Sequence, residues 1–112
     1  MTKKKYTMVV LTNAKQGQDD EFNDWYNNQH IQDVLAIPGF TAAQRFEFVE
    51  KPGVPVPQYK YCANYEMETD DPGAVVTELF RRHGTPQLAA SDAMDPTSYF
   101  ALYEAITPVV KK

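Results

Sequence analysis

The sequence predicts an α+β fold with the element order β-α-β-β-α-β. Three observations support this class. Four short segments are rich in β-branched and aromatic residues, two segments carry apolar residues at helical spacing, and most prolines and glycines fall between them. The length of 112 residues fits one domain, residues 1–112. In this order the strands form one antiparallel sheet with both helices on a single face.

The first strand is predicted over Tyr6–Thr12, which is nearly all apolar, as in a central strand buried on both faces. Residues 1–5, with three lysines, are predicted to be a frayed basic tail. The N-terminus imitates a signal peptide, but its apolar stretch is short and no small-residue cleavage site follows. No apolar run approaches the ~20 residues of a membrane span, so we expect a cytoplasmic protein.

The segment Glu21–Ile37 has helical spacing that changes phase in its middle. The first apolar set shares one face: Phe22, Trp25 and Tyr26. After the polar residues 27–29, a second set is rotated from the first: Ile31, Val34 and Leu35. We therefore predict a bent helix, or two short helices meeting near His30, that ends at Pro38–Gly39.

Two further strands are predicted on either side of the proline-rich connection 51–58. The alternation in Phe40–Val49 places four apolar residues on one face: Phe40, Ala42, Phe46 and Phe48. Tyr59–Met67 alternates in the same way, with Tyr65 on its aromatic side. We expect Arg45 on the opposite face of its strand from the phenylalanines, in a solvated or interface pair with Glu47.

The second helix has clear boundary signals. Asp71 is the predicted N-cap, Pro72 is the first helical residue, and Arg81, Arg82 and His83 fill the last turn before Gly84. Four residues are expected to face the sheet: Val75, Val76, Leu79 and Phe80. A polar loop over 85–95, with a short helical piece around 88–90, precedes the last strand, Ser98–Ile106.

Composition limits the classes of partner. The net charge of −4 and the pI of about 5.0 argue against binding of nucleic acid or anionic membranes. An RNA-binding domain of the same element order would need a glycine and exposed aromatics in its third strand, and KYCANYEM lacks the glycine. One cysteine, Cys62, excludes an intrachain disulfide. Since three strands carry aromatics, the uncovered sheet face is predicted to be too apolar for a monomer, which favours a homodimer joined through its sheets.

The stretch EFNDWYNNQHIQDVLAIPGF, residues 21–40, resembles the EthD-like branch of the dimeric α/β-barrel superfamily, whose subunits are ferredoxin-like. The resemblance rests on the aromatic residues 22, 25 and 26, on His30, and on the closing Pro38–Gly39–Phe40. It implies a homodimer that forms an α/β barrel and a small-molecule cleft between helices and sheet. It does not specify a reaction, since function belongs to the site rather than the fold.

His30 is the candidate catalytic residue, because imidazole exchanges protons near neutral pH. Proteins of the resembled fold place a histidine here beside the ligand. Asp33 or Asp24 is expected to orient the ring, and burial and a carboxylate together would keep its pKa near neutrality. The alternative is a histidine that only braces the helix bend through a backbone hydrogen bond.

Five residues are candidate substrate-binding residues: Tyr26, Trp25, Phe22, Tyr65 and Arg45. Tyr26 is the preferred polar anchor, since it lies one turn from His30 and carries a hydroxyl. For Trp25 the competing interpretation is a plain core residue. His83 is interpreted as a helix-end cation outside the site.

The function expected from these residues is cofactor-free acid/base chemistry on an apolar cyclic or aromatic-derived compound, such as isomerisation, cyclisation or lactone rearrangement. One alternative is a non-catalytic ligand-binding or stress-associated dimer. Another is a monooxygenase or haem-handling protein of the same fold. No cofactor is expected, and no metal site, because the two histidines are far apart and no cysteine or histidine cluster accompanies them.

Overall fold

The computed structural model describes residues 3–112 and contains one four-stranded antiparallel sheet with the order β2-β3-β1-β4. The strands are β1 (Lys4–Thr12), β2 (Phe40–Glu47), β3 (Tyr61–Thr69) and β4 (Tyr99–Glu104). The helices are α1 (Asp19–Trp25), α2 (Ile31–Leu35) and α3 (Pro72–Arg82), with a π-helical turn, Tyr26–His30, between α1 and α2. This order confirms the predicted α+β, ferredoxin-like fold.

The basic N-terminus is more ordered than predicted. β1 begins at Lys4, which pairs with Thr69, and Lys5 pairs with Glu68. The prediction of a frayed tail is therefore wrong for these two lysines, because the long partner strand β3 continues alongside them. The first two residues of the predicted tail lie outside the described residues.

The phase change in the first helical segment is a π-helical turn. The backbone N–H of Ile31 donates to the carbonyl of Tyr26, five residues earlier, so this turn holds one residue more than an α-helical turn. The extra residue rotates the second apolar set, which puts Val34 into the same core as Phe22 and Tyr26. The predicted bend near His30 is confirmed, and its cause is the wide turn.

Because β2 contains a bulge, the residues after it lie on the opposite face of the sheet from the one that the alternation predicted. The register shifts between Phe40, which pairs with Met67, and Ala42, which pairs with Glu66. After the shift, Arg45 pairs with Ala63 on the helix-covered face and Phe46 pairs with Cys62 on the outer face. Strict alternation had placed Phe40 and Phe46 together, and a bulge breaks such alternation by one residue.

α3 begins as its sequence signals predict. The Asp71 carboxylate accepts a hydrogen bond from the Ala74 backbone N–H at 3.1 Å, and Pro72 follows it as the first helical residue. Val75 and Leu79 are buried, as predicted. Phe80 was predicted to face the sheet, but it is 63% exposed and does not belong to the core. The loop after α3 contains turns and no helix at residues 88–90.

The Pro38–Gly39 turn touches α3 closely. Gly39 has φ of +110°, and a Cβ atom there would lie 2.6 Å from the Val75 Cγ2. Both the backbone conformation and the close approach therefore require glycine. This contact fixes α3 against the end of the first helical segment.

The outer face of the sheet is less aromatic than predicted. Tyr61 and Tyr65 of β3 are buried on the helix-covered face, beside Met8 and Thr12 of β1. The outer face is apolar at one end, where an open groove is lined by Leu11, Phe46, Phe48, Cys62 and Tyr99 among others. Its other end carries Glu66, Glu68 and Lys5. Within residues 3–112, no helix is long and apolar enough to cross a membrane.

Candidate functional site

A cavity of about 190 Å³ lies between the π-helical turn, the middle of the sheet, the end of α3 and the loop that follows α3. Its walls are mainly apolar and include both histidines of the chain. No Lys, Arg, Asp or Glu lines it. The polar or aromatic residues at the wall are Thr12, Trp25, Tyr26, His30, Tyr65, Phe80, His83, Ser91, Ser98 and Phe100.

His30 is held in this wall by two aromatic rings. The Trp25 ring stacks on the imidazole, with centroids 4.5 Å apart and planes 28° apart. The Tyr26 ring meets it edge-on at 4.7 Å. Residues five apart lie about 140° apart around an α-helix, so the stacking of residues 25 and 30 depends on the wide π-helical turn.

The imidazole is half-buried, and its Nδ1 is buried without a hydrogen-bond partner. Burial, and to a smaller extent the charges of His83 and Arg45, lowers the pKa of His30 to about 4. The ring is therefore neutral at pH 7, able to accept a proton. It does not brace the bend through Nδ1, which was the competing interpretation.

The predicted orienting carboxylates do not reach His30. Asp24 instead accepts a hydrogen bond from the Asn28 side chain at 2.7 Å. Asp33 makes no side-chain hydrogen bond, and no carboxylate of the described residues lies within 4.0 Å of the imidazole. The prediction that a carboxylate would offset the effect of burial and keep the pKa of His30 near neutrality is thus wrong, because burial acts on that pKa and no carboxylate opposes it.

A pair of buried tyrosines forms the polar floor of the cavity. The hydroxyls of Tyr26 and Tyr65 are 2.5 Å apart, and each residue is 1% exposed. Burial is the main cause that raises the pKa of both phenols, so both stay protonated at pH 7. The pair joins the π-helical turn to the centre of β3.

Arg45 lies over the Tyr26 ring, outside the set of residues that line the cavity. Its guanidinium carbon is 4.1 Å from the centre of the Tyr26 ring, and its Nη1 donates to the Asn27 Oδ1 at 2.7 Å. The expected solvated or interface pair of Arg45 with Glu47 is not formed within the described chain, because β2 after its bulge turns Arg45 toward the helices. Arg45 does not line the cavity.

The structure brings together four of the six candidate catalytic and binding residues at the cavity wall: Trp25, Tyr26, His30 and Tyr65. Phe22 does not line the cavity. It is fully buried between the rings of Trp25, Tyr26 and Tyr61 and acts as core. Among the six candidates, these placements leave His30 and the tyrosine pair as the groups that can exchange a proton or a hydrogen bond with a ligand.

Sequence reasoning missed His83 and the loop beyond it as cavity residues. His83 is exposed, yet it lines the cavity at the end of α3. The loop contributes Leu88 and Met94, the two large apolar residues in a stretch of small and polar ones, and that contrast was the signal available. Within the part of the chain that the structure describes, no group of three or more potential ligands could hold a metal ion.

No protein-family model and no curated protein matches the chain. Solved structures do. A cofactor-independent oxygenase from Streptomyces nogalater is 17% identical, with a TM-score of 0.67 over 96% of this chain and 99% of that one. An ethyl tert-butyl ether degradation (EthD) family protein from Bacillus halodurans is 13% identical, with a TM-score of 0.61 over 90% and 99%.

A haem-degrading protein from Mycobacterium tuberculosis, with two haems in its active site, is 14% identical. Its TM-score is 0.63, over 94% of this chain and 99% of that one. Identities this low establish the fold and not the reaction. The chain therefore shares the ferredoxin-like fold of the EthD and dimeric α/β-barrel proteins, as the aromatic–histidine stretch indicated.

Proposed function

We propose that the protein is an enzyme that moves a proton on a small apolar, cyclic or aromatic-derived compound without a cofactor. His30 is the catalytic residue. The observation that carries this proposal is a neutral imidazole, stacked on Trp25 at the wall of a cavity, with a buried Nδ1 that no protein group satisfies. A buried polar atom of this kind is rare in folded proteins unless a ligand or water meets it.

The step assigned to His30 is removal of a proton from a ligand carbon next to a carbonyl. The electron pair of the C–H bond becomes the second bond of the enolate carbon–carbon double bond, and the π pair of the carbonyl moves to its oxygen, which takes the negative charge. Where the enolate is conjugated with a second carbon–carbon double bond, His30 returns the proton to the far end of that system and the product is an isomer. Where the enolate carbon instead attacks a second carbonyl carbon of the ligand, a ring closes and the alkoxide that forms takes the proton from His30. His30 ends each cycle neutral.

The low pKa of His30 limits the ligands on which it can act. A general base works best when its pKa is close to the working pH, and a pKa of about 4 makes the free imidazole a weak base. An anion formed beside the imidazolium would raise that pKa. We therefore expect turnover of ligands with an acidic C–H, whose anion remains bound.

The lining supports a small neutral ligand. Its apolar walls without a charged residue offer no partner for a carboxylate or phosphate. Pockets for drug-sized molecules hold about 300–1,000 Å³, so a cavity of about 190 Å³ suits a compound of one or two rings. The same properties disfavour haem, whose large ring carries two carboxylates.

Hydrogen–deuterium exchange tests the proton step without knowledge of the later steps. Small cyclic ketones and phenols are incubated with the protein in deuterium oxide, and loss of C–H signals is followed by NMR. We expect exchange at the carbon next to the oxygen-bearing carbon, and loss of that exchange in His30→Asn. If several compounds bind and none of them exchanges, the result would support the alternative function, a protein that binds ligands without catalysis.

Oxygenation is the second candidate reaction, because an enolate or phenolate can also react with dioxygen and the fold is shared with an oxygenase of the cofactor-independent kind. Oxygen uptake that depends on both His30 and the ligand would support it. A saturable shift of the haem Soret band on titration with the protein, lost in His30→Asn, would support a haem-handling protein instead.

We further propose that two chains pair through the outer sheet face. The apolar groove at one end of this face includes half-exposed Phe46 and Tyr99, which a partner sheet would cover. The chain of 12.7 kDa should then sediment at about 25 kDa. Val9→Asp, on the outer face of central β1, should yield monomer or precipitate, because an unpaired buried charge costs several kcal/mol. Wild-type monomer at micromolar concentration would contradict the dimer.

A further inference from the structure

The Tyr26–Tyr65 pair has a hydrogen that no protein group accepts. Two phenol hydroxyls carry two hydrogens, and the bond between them, 2.5 Å long, uses one. Among residues 3–112, neither hydroxyl has a second hydrogen-bond partner. Because both residues are buried at the cavity, the remaining hydrogen is a donor available to a ligand oxygen.

A positive charge lies beside this donor with no carboxylate in contact with it, and the charge of Glu47 acts on it only at longer range. The Arg45 guanidinium covers the Tyr26 ring at 4.1 Å, and its Nε and Nη2 are buried without partners. No carboxylate of the described residues lies within 4.0 Å of it, Glu47 on the same strand included. A cation in this position is costly unless negative charge develops nearby.

We propose that the tyrosine pair is an oxyanion-binding site, with Arg45 as a positioning residue that acts through the Tyr26 ring. The ligand then presents a phenol or enolisable carbonyl oxygen to the pair and is held there as its anion. This inference rests on the proposed function and names its ligand class. The edge-on contact of Tyr26 with His30 puts the oxygen-binding pair next to the base.

Arg45 strengthens the pair as a donor. Its charge opposes the effect of burial on the pKa of both phenols, which makes their hydrogens more acidic than burial alone would leave them. Hydrogen bonds from a more acidic donor to an anion are stronger than those between neutral groups. The charge therefore reaches the ligand although Arg45 does not touch the cavity.

The test uses 4-nitrophenol, whose anion is yellow, so the ionisation of the bound probe is read from its visible spectrum. In saturating wild-type protein, the midpoint of its ionisation should fall by about one pH unit, which is tenfold tighter binding of the anion than of the neutral form. Arg45→Met should abolish most of this shift. Arg45→Lys, which keeps the charge, should restore part of it.

Controls separate this effect from net charge and from misfolding. Lys15→Met removes an exposed cation whose side chain contacts neither ring of the pair, and it should leave the midpoint unchanged. The double variant Tyr26→Phe/Tyr65→Phe keeps both rings and should bind the neutral probe in preference. Each variant is used only after its thermal unfolding has been shown to be cooperative.

An unshifted midpoint in wild-type protein, or the same shift in Arg45→Met, would overturn the oxyanion site. Failure of the probe to bind would overturn the ligand class. None of these results decides the role of His30, because the hydrogen–deuterium exchange of ketone C–H bonds tests that role separately. Conversely, a shifted midpoint with no exchange for any compound would leave an anion-binding protein without the proposed catalysis.

Discussion

The cavity has a histidine on each of two walls, and the two differ in the features that matter for proton transfer. His30 lies in a π-helical turn, stacked on an indole, with a buried nitrogen that lacks a partner. His83 follows the last turn of α3 and is exposed to solvent. The same side chain is thus a largely desolvated imidazole in one wall and a solvated rim group in the other.

This difference teaches that backbone geometry, more than residue type, decides which imidazole is suited to act as the proposed base. The wide turn rotates residue 30 onto residue 25 and takes the imidazole out of water. His83 has no such neighbour, because α3 ends there: its backbone N–H bonds to the Leu79 carbonyl, and Gly84 follows with φ of +80°. We expect substitutions at the two positions to have unequal consequences.

The largest effect is expected for His30→Asn in the exchange reaction. Asn keeps one hydrogen-bonding edge and much of the volume but cannot accept a proton at neutral pH. Loss of a general base typically lowers the rate about 10²–10⁴-fold, while the melting temperature should change little. A variant that retains turnover within threefold would show that His30 does not transfer the proton.

The second prediction is a loss of stability in acid that depends on His30. Its pKa is about 4 in the folded chain and about 6.5 when unfolded. The unfolded state therefore binds more protons between these values, and the stabilisation present above pH 6.5 is lost as the pH falls toward 4. Between pH 7 and pH 5 the free energy of unfolding should fall by about 2 kcal/mol from this group.

Urea unfolding at the two pH values measures this loss. His30→Asn should show a smaller fall, whereas the same fall in the variant would mean that other groups cause it. The single tryptophan, Trp25, stacks on His30 and gives a fluorescence signal for the protonation. In wild-type protein that signal should change near pH 4.

The third prediction concerns the indole that keeps His30 out of water. Trp25→Leu uncovers one face of the imidazole, so its pKa should rise by about one unit as desolvation weakens. NMR titration of the imidazole protons measures this change. Phe80→Leu, at the wall near His83, is the matched control and should leave the pKa of His30 where it is. An unchanged pKa in Trp25→Leu would assign the desolvation to other walls.

Much of the fold follows from local patterns in the sequence. The boundary of α3 is an example, since Asp71 and Pro72 act through their own backbone neighbours. The bulge after Phe40 was not predictable, because Gly39 was already accounted for by the turn that ends the helical segment and the register depends on how β2 fits β3. That bulge decides the orientation of Arg45, so its place over the Tyr26 ring could not be derived either.

The site was predictable in its π-helical part and not beyond it. The phase change pointed to residue 30, and the neighbours Trp25 and Tyr26 are close in the chain. The Tyr26–Tyr65 bond joins residues 39 positions apart, and the contact of His83 with the same cavity depends on how α3 packs. The prediction that Asp24 or Asp33 orients His30 was wrong for the same reason. The directions of both side chains depend on the π-helical turn, and the apolar spacing showed a phase change without showing that the turn is π-helical.

The smallest effect is expected for His83→Gln. Its backbone N–H, which bonds the Leu79 carbonyl, is unchanged by the substitution. Exposed positions usually change stability by no more than about 0.5 kcal/mol. Because the charge of His83 is one of the causes that lower the pKa of His30, that pKa should rise by a fraction of a unit, visible in the same NMR titration. Exchange rates at pH 7 should stay within about threefold, since a positioned group contributes far more than that. If His83→Gln abolished exchange while its melting temperature was retained, the two histidines would have the opposite roles, with the solvated rim residue as the base.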